Sequence, residues 1–532
     1  MNLPPSRRES GRWEPSRRQF LGRAGAGLAA AAVASPLLAA CGSSSKSTST
    51  SGASSGGSPK QGGTLRFAVA GGASADTPDP ALAGTSFTLY MAANLYDTLV
   101  RADQNFGLEP ALATNWSSSA DAKTWTFKLR DGVTFHGGGK LTSKDVAYSI
   151  TRILDPKLAS PVLSNISPFL KASGISAPDP TTVKFQLSAP NAFFPQVLAS
   201  VNFGIIPEGT TSFTKPAGTG PFFLSEFQAL ANAKFARNTS YWRSGRPYLD
   251  AVNLVSIAED STRVQSLIGG SEDLVDNITG ADVKLLAAQP NVQTLQIKAG
   301  GWVDLAAWGD TKPFNDPNVV KALKYAANRE QIMGLVAPNS YLTGPDIPVP
   351  PSDPFFPAGL KAYPYDPDQA KHLVQQSGYK DGLDLTLYAY EGDKLDAALA
   401  FKQSAAPAGI NIKVVTWPHA TYWTQVWLKK PFVGDSWARL HTSVILQSAF
   451  GAQPNEFHWK DDKFNGLLTS AVATTDTTKQ KTLYGDALTM INDQTAGIIP
   501  GWEPQLYGAS DKLHGVELAN GGQVFLDGAY FA

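Results

Sequence analysis

The sequence predicts an α/β protein of more than one domain, and three observations carry that expectation. Strand-like alternation and capped helical stripes follow one another along the chain. One stretch near residue 400 reads strand–helix–strand. The 532 residues exceed one ordinary hydrophobic core, because domains of about 100–200 residues predict two to four units.

The elements justify this in order. Trp125, Phe127 and Leu129 alternate with polar residues, the pattern of a half-buried strand. Thr142-Ser143-Lys144-Asp145 has the form of a capping box. After it Val146, Ile150, Ile153 and Leu154 fall on one helical face, and Pro156 marks the end. Val183, Phe185 and Leu187 alternate again. Asp316-Pro317 is an N-cap followed by proline at the first helical position, with Val320, Leu323 and Ala327 as the buried stripe. Asp366-Pro367 repeats the device, with Leu373 and Val374 inside and Gly378 as the C-cap. Leu383, Leu385 and Leu387 form a strand, Ile410 to Val415 another, and a helix-compatible stretch lies between them. No internal repeat is visible, and no second low-complexity linker, so the domains are expected to be interleaved.

Composition narrows the function. Hydrophobic residues make up 42% and charged residues 17%, as in a soluble globular protein. Lys+Arg and Asp+Glu are both 45. That balance gives no global steering toward nucleic acid or an anionic membrane. The single cysteine, Cys41, excludes an intramolecular disulfide and any Cys-x-x-Cys site.

The first residues read as an address. Ser16-Arg17-Arg18-Gln19-Phe20-Leu21 is a twin-arginine export motif, an Ala/Gly run follows from Ala24 to Ala34, and Leu38-Ala39-Ala40-Cys41 closes the segment. Residues 1–40 are therefore set aside as a signal peptide. The box at its end resembles the bacterial lipoprotein signal, which implies lipidation of Cys41. Residues 41–61, nearly all Ser, Gly, Thr and Ala, are expected to be a flexible tether. An anchored head on a tether suits a collector of solutes and a surface enzyme equally well.

Catalytic motifs are missing. His136-Gly137-Gly138-Gly139 looks like the oxyanion loop of some lipases, but no G-x-S-x-G pentapeptide occurs outside the Ser/Gly-rich tether. A tight turn is the expectation there. Gly218-Thr219-Gly220 opens like a dinucleotide fingerprint, yet the sixth position is Phe223, and no P-loop is present. The six histidines (136, 372, 419, 441, 458, 514) have no metal-ligand spacing. Asp461-Asp462 reads as a solvated turn. No cofactor and no metal are expected.

From about Gly62 to the C-terminus the chain resembles the family 5 extracytoplasmic solute-binding proteins of peptide-type ABC importers. Four stretches carry the resemblance. The first is Gly63-Thr64-Leu65-Arg66 with Thr77-Pro78-Asp79-Pro80 and Asn94-Leu95-Tyr96-Asp97-Thr98-Leu99. The second runs from Pro110-Ala111-Leu112-Ala113 through residues 125–133 to Asp145-Val146-Ala147-Tyr148-Ser149. The third is Gly218-Thr219-Gly220-Pro221-Phe222 with Asn238-Thr239-Ser240-Tyr241-Trp242. The fourth is Pro313-Phe314-Asn315-Asp316-Pro317 with Ala327-Asn328-Arg329 behind it. Each is weak alone; in order and at this spacing they are specific.

The resemblance implies a two-lobed periplasmic-binding-protein fold of type II, a Venus flytrap with an extra inserted domain. The expected division is 62–103, 219–308 and 503–532 for lobe I, 104–218 for the inserted domain, and 309–502 for the other lobe. It implies hinge closure on a solute, then delivery to ABC permease subunits and their ATPases, by a monomer held to the membrane through its lipid anchor alone. For the pocket it implies Thr85, Ser86 and Phe87 before the first helix, and the loop Ser436-Trp437-Ala438-Arg439-Leu440. In oligopeptide binders this loop ends in an acidic residue that holds the peptide ammonium; here that position is Leu440. Arg439 offers a planar fork suited to carboxylate or phosphate. The expected ligand is thus a peptide or peptide-like solute, with an anionic solute or a glycan as alternatives. Asn455, Trp459, Trp502, Trp417 and Trp308 complete the expected ligand contacts, each weighed against plain core packing and, for Arg439, against a protein ion pair. A sensor on the same scaffold and a tethered hydrolase are the competing functions.

Overall fold

Two strands much longer than the rest organise the protein. They are Val292–Ala307 and Gly497–Ser510, paired antiparallel. In the computed structural model they form the middle of an eleven-stranded mixed sheet. On one side of the pair follow Phe432–Ala438, Leu383–Tyr390 and Ile410–Trp417; on the other Leu274–Val275, Thr64–Val69, Ala251–Ser256, Asn232–Arg237 and Phe222–Gln228. The chain divides into a unit Met1–Ser55 and a unit Gly56–Ala532. The described residues are 59–532, apart from 339, 452–454 and 520. The export motif, Cys41 and nearly all of the tether lie outside them.

Each end of the long pair belongs to a different core. Residues 292–297 pair with 505–510, beside the core that holds Phe67, Phe87, Phe235, Tyr507 and Phe525. Residues 301–307 pair with 432–438. There Val303, Leu305 and Ala307 face one core, with Leu323, Leu387 and Phe401, while Trp302 and Ala306 face a second, with Tyr422, Phe457 and Trp502. Between the ends the register shifts, from Ile297 to Gly301. A shift of this kind bends and twists a ribbon locally. Gly300 sits in it, where an added Cβ would lie 2.5 Å from the Gln505 Cβ, so only a glycine permits the close approach. The lobe boundary expected after residue 308 is thereby corrected. The chain passes between cores at 298–300, because 301–307 are already paired and packed with the later elements.

A four-stranded antiparallel sheet stands apart, in the order Ala113–Ser118, Thr124–Leu129, Thr182–Gln186, Ile175–Asp179. The helix Ser143–Ile153 covers it, started by the Thr142/Asp145 capping box. Its core contains Phe127, Phe185, Phe194, Val146 and Ile150, and also Leu99 and Val100, which precede residue 104. The strand–helix–strand reading near residue 400 is seen as parallel strands 383–390 and 410–417 joined by the helix Asp393–Ala405. Asp316 and Asp366 accept from the backbone N–H groups of Asn318 and Gln369, as N-caps do. Ser377, not Gly378, is the C-cap of its helix; Gly378 follows it at φ 92°.

The other sequence puzzles resolve as packing. His136-Gly137-Gly138-Gly139 is a tight turn closed by a Thr134–Lys140 bridge, with its ring 3.0 Å from the Gly220 carbonyl. Gly218 and Gly220 press on the backbone of Leu95, where any Cβ would overlap it. They serve chain packing, not a phosphate.

A buried ion network ties the N- and C-terminal parts of lobe I together. Asp527 accepts from Arg101 at 3.0 Å, Arg246 at 3.0 Å and Arg243 at 3.2 Å. Arg101 also lies 3.7 Å from Asp97. Asp97 in turn accepts from Trp242 Nε1, Thr219 and Tyr241. Burial pushes Asp527 upward, but the three guanidiniums overcome that and hold it below the usual carboxylate range.

Candidate functional site

The strand Phe432–Ala438 sets the site. Its burial runs from closed at Phe432–Asp435, through half-buried Ser436 and Trp437, to exposed Ala438. The open end therefore lies at Trp437–Ala438. Arg439 follows and reaches across to the other part of the protein: Nη1 donates to the Gln104 carbonyl at 3.3 Å, and the guanidinium lies 5.5 Å from the Phe106 ring centre. Its Nη2 lies 3.5 Å from Asp353 Oδ2, and the side chain is 4% exposed. Burial lowers its pKa, with Asp353 acting in opposition. Arg439 thus meets a protein carboxylate and a backbone carbonyl, which corrects its expected role as the fork for an anionic solute.

The same seam carries further contacts. Phe106 meets His441 edge-on at 5.6 Å. Phe193 lies 4.6 Å from His441 and 5.8 Å from Phe355, and the Ala192 N–H donates to the Val472 carbonyl at 2.8 Å. Burial, with the Arg439 charge second, pushes the His441 pKa down to about 3. Leu440, His441, Phe106, Phe193 and Phe203 line a cavity of about 190 Å³ beside this seam. These contacts belong to a closed arrangement. Phe106→Ala removes one cation–π and one aromatic contact while leaving no buried charge behind. It is expected to weaken solute affinity about tenfold, read by titration calorimetry. Equal affinities would remove the seam from the closure energy.

The other expected contacts scatter. Thr85 caps the helix Ser86–Leu95 through its side chain and donates to Asp76, and Ser86 is that helix's first residue. Phe87 is fully buried in the first-lobe core beside Phe227. Asn455 is spent on the backbone, donating to the Phe450 and Trp459 carbonyls at 2.7 Å each. Trp459 packs on Phe464, and Trp308 stacks on His458 at 4.0 Å. Asp461, expected in a solvated turn, caps the helix Asp462–Val472.

Trp437, Trp502 and Trp417 do come together, around a feature that motif-reading missed. Trp302 and Trp437 are opposite in register and stack nearly parallel at 6.2 Å. Trp502 pairs with Trp302 from the other long strand. Trp417 lies opposite Tyr390, whose ring is 4.7 Å from Tyr422. Two residues further in on the Trp302–Trp437 face, Asp304 stands opposite Asp435. Glu456 joins them, accepting from Trp437 Nε1 at 2.7 Å and Trp427 Nε1 at 3.2 Å. The three carboxyls are buried, and neither oxygen of Asp304 has a hydrogen-bond partner.

The electrostatics follow from that crowding. Burial is the largest cause raising Asp304, with Glu456 and Asp435 adding to it. Asp435 rises by burial and then by Glu456, and Glu456 rises by burial against the two indole donors. Lys394 is the cation nearby, but it is engaged by Asp393 at 2.6 Å and Glu503 at 3.9 Å. The sequence does carry a signal for this group. Asp304 interrupts the otherwise apolar run Trp302–Ala307 on the parity of Trp302 and Ala306. Among the described residues no cluster of His, Cys, Asp and Glu is arranged to hold a metal ion.

Known proteins share this architecture. The periplasmic binding protein DppA of Helicobacter pylori, solved with the peptide STSA, is 26% identical with a TM-score of 0.73 over 89% of this chain and 99% of that one. The substrate-binding protein CtaP of Listeria monocytogenes, 22% identical, has the same fold with a TM-score of 0.78 over 89% and 100% of the two chains. In sequence, the glutathione-binding protein GsiB of Escherichia coli (strain K12) is 29% identical over 354 residues, 65% of this chain and 68% of that protein. The family model described as bacterial extracellular solute-binding proteins, family 5 Middle, matches residues 107–439. With two lobes hinged on a shared strand pair and that match across more than half its length, the chain belongs to the bacterial extracellular solute-binding proteins of family 5.

Proposed function

We propose that this protein is the solute receptor of an ABC importer, closing its lobes on a peptide-like solute and handing it to a membrane permease. The observation that carries the reading is the pair of long strands with a register break between two separately packed ends, on a fold shared over 99% of a peptide-bound relative. Such a ribbon lets the lobes rotate while each core stays intact, and a solute that contacts both lobes favours the closed state. The lobes are 62–103 with 219–300 and 503–532 on one side, and 301–502 on the other, with the insert at 104–218. No catalytic step is assigned. Export by the twin-arginine route and lipidation at Cys41 would hold the receptor at the membrane. Among the described residues no helix is long and apolar enough to cross it.

Thermal denaturation of the full chain against a solute panel tests the reading. A solute at about 100 times its dissociation constant should add roughly 2.7 kcal/mol, and scattering should show a smaller radius of gyration with it. Cys41→Ala should move the protein from the membrane to the soluble fraction. Solutes that are turned over, rather than held, would point to the hydrolase reading instead.

A further inference from the structure

The buried acids near the stacked indoles have no counter-charge of their own. Asp304, Asp435 and Glu456 share one shell with Trp302, Trp427, Trp437 and Tyr422. The groups facing them are Lys394, Glu503, Asp393 and Tyr390, and within that set Lys394 is already shared by Asp393 and Glu503. Taking an ionised carboxylate out of water without a partner is costly, and structures rarely keep one that serves packing alone. Asp304, fully buried with both oxygens unpartnered, faces the same way as the indole pair at the strand's open end. Indole faces attract organic cations, and the carboxyls lack the arrangement that would favour a metal. Leu440, at the end of the neighbouring loop, supplies no competing acid. Arg439, the cation on that loop, is held by Asp353 and the Gln104 carbonyl.

We propose that Asp304, Asp435 and Glu456 take the protonated amine or guanidinium of the solute, the stacked Trp302 and Trp437 flanking its aliphatic stem, so that the solute class is an organic cation. This rests on the solute-receptor reading above and reverses the anionic preference expected from Arg439. Binding a cation favours the ionised carboxylates, so protons leave the protein as the solute enters.

Calorimetry on the full chain in detergent tests it, in two buffers of unlike ionisation enthalpy. The probes are putrescine, agmatine and the dipeptide Ala-Lys, against Ala-norleucine as the uncharged isostere and glutathione as an anion. The expected result is binding of at least one cationic probe with net proton release, no comparable binding of Ala-norleucine or glutathione, and a loss of about thirtyfold or more in Asp435→Asn and Glu456→Gln. The proton count on the unaltered protein stands even where a variant folds poorly. Tight binding of the uncharged or anionic probes with none of the cations overturns the cation assignment and leaves the receptor reading intact. So does cation binding without proton release and unchanged in both variants. Failure of every probe, whatever its charge, counts against the receptor reading itself.

Discussion

Asp527→Ala is expected to cost about 3–5 kcal/mol of stability, the range for breaking a buried charge network by removing one partner. Three guanidiniums converge on this carboxylate, and Arg101 and Asp527 are almost fully buried. Removal leaves Arg101 facing Asp97 at 3.7 Å with no other carboxylate in contact, and leaves Arg243 and Arg246 without their ion pair. Because residue 527 docks against elements around 101 and 241–246, the loss should fall on lobe I. Chemical denaturation should show a lowered midpoint for the domain that holds these residues, with the 301–502 lobe less affected. A loss below about 1 kcal/mol would place Asp527 among ordinary surface pairs.

The second large effect is a fall in the stability of the solute-free protein as pH rises from about 6.5 to 8. The sign follows from linkage. A carboxyl whose folded pKa is raised binds more protons in the folded state, so stability declines as pH climbs from its unfolded toward its folded pKa. Asp304, Asp435, Glu456 and Glu503 are all raised, burial being the largest cause for each. Asp276, raised to about 6 by burial, has finished most of its contribution below this window. His441, held down to about 3, destabilises the fold below its ordinary value near 6.5 and is silent above it. Lys324, lowered to about 8 by burial, begins to act in the opposite sense only above the window. Each unit of raised pKa that falls within the window is worth about 1.4 kcal/mol, so the summed decline should be plain in melting curves. Stability that stays flat or rises between these pH values would show that the acids are already compensated within the protein. A bound organic cation should flatten the decline.

Much of the architecture is legible in the residues. Alternation placed the strands at 124–129, 182–186, 383–390 and 410–417, because side chains on a half-covered strand must alternate. Asp-Pro pairs placed two helix starts, because an N-cap acceptor and a proline at the first turn act locally. Local chemistry of this kind needs no tertiary contact to be read. The family, too, could be recognised from short stretches in order.

The site is a different matter. Arg439 looks on the page like a free fork; what occupies it is Asp353, 86 residues earlier, and a carbonyl 335 residues earlier. Asn455 looks like a ligand contact, but the loop's own backbone takes both its donors. Asp304, Asp435 and Glu456 match no motif, since their common property is shared burial across two strands and a loop. Burial and pairing depend on which strands become neighbours, and here that was decided by where the register breaks at residues 298–300. Sequence determined the elements, the export address and the family. The tertiary structure decided which charges are spent within the protein and which acids stand without a partner, because electrostatic cost depends on distance and solvent exclusion rather than on order along the chain.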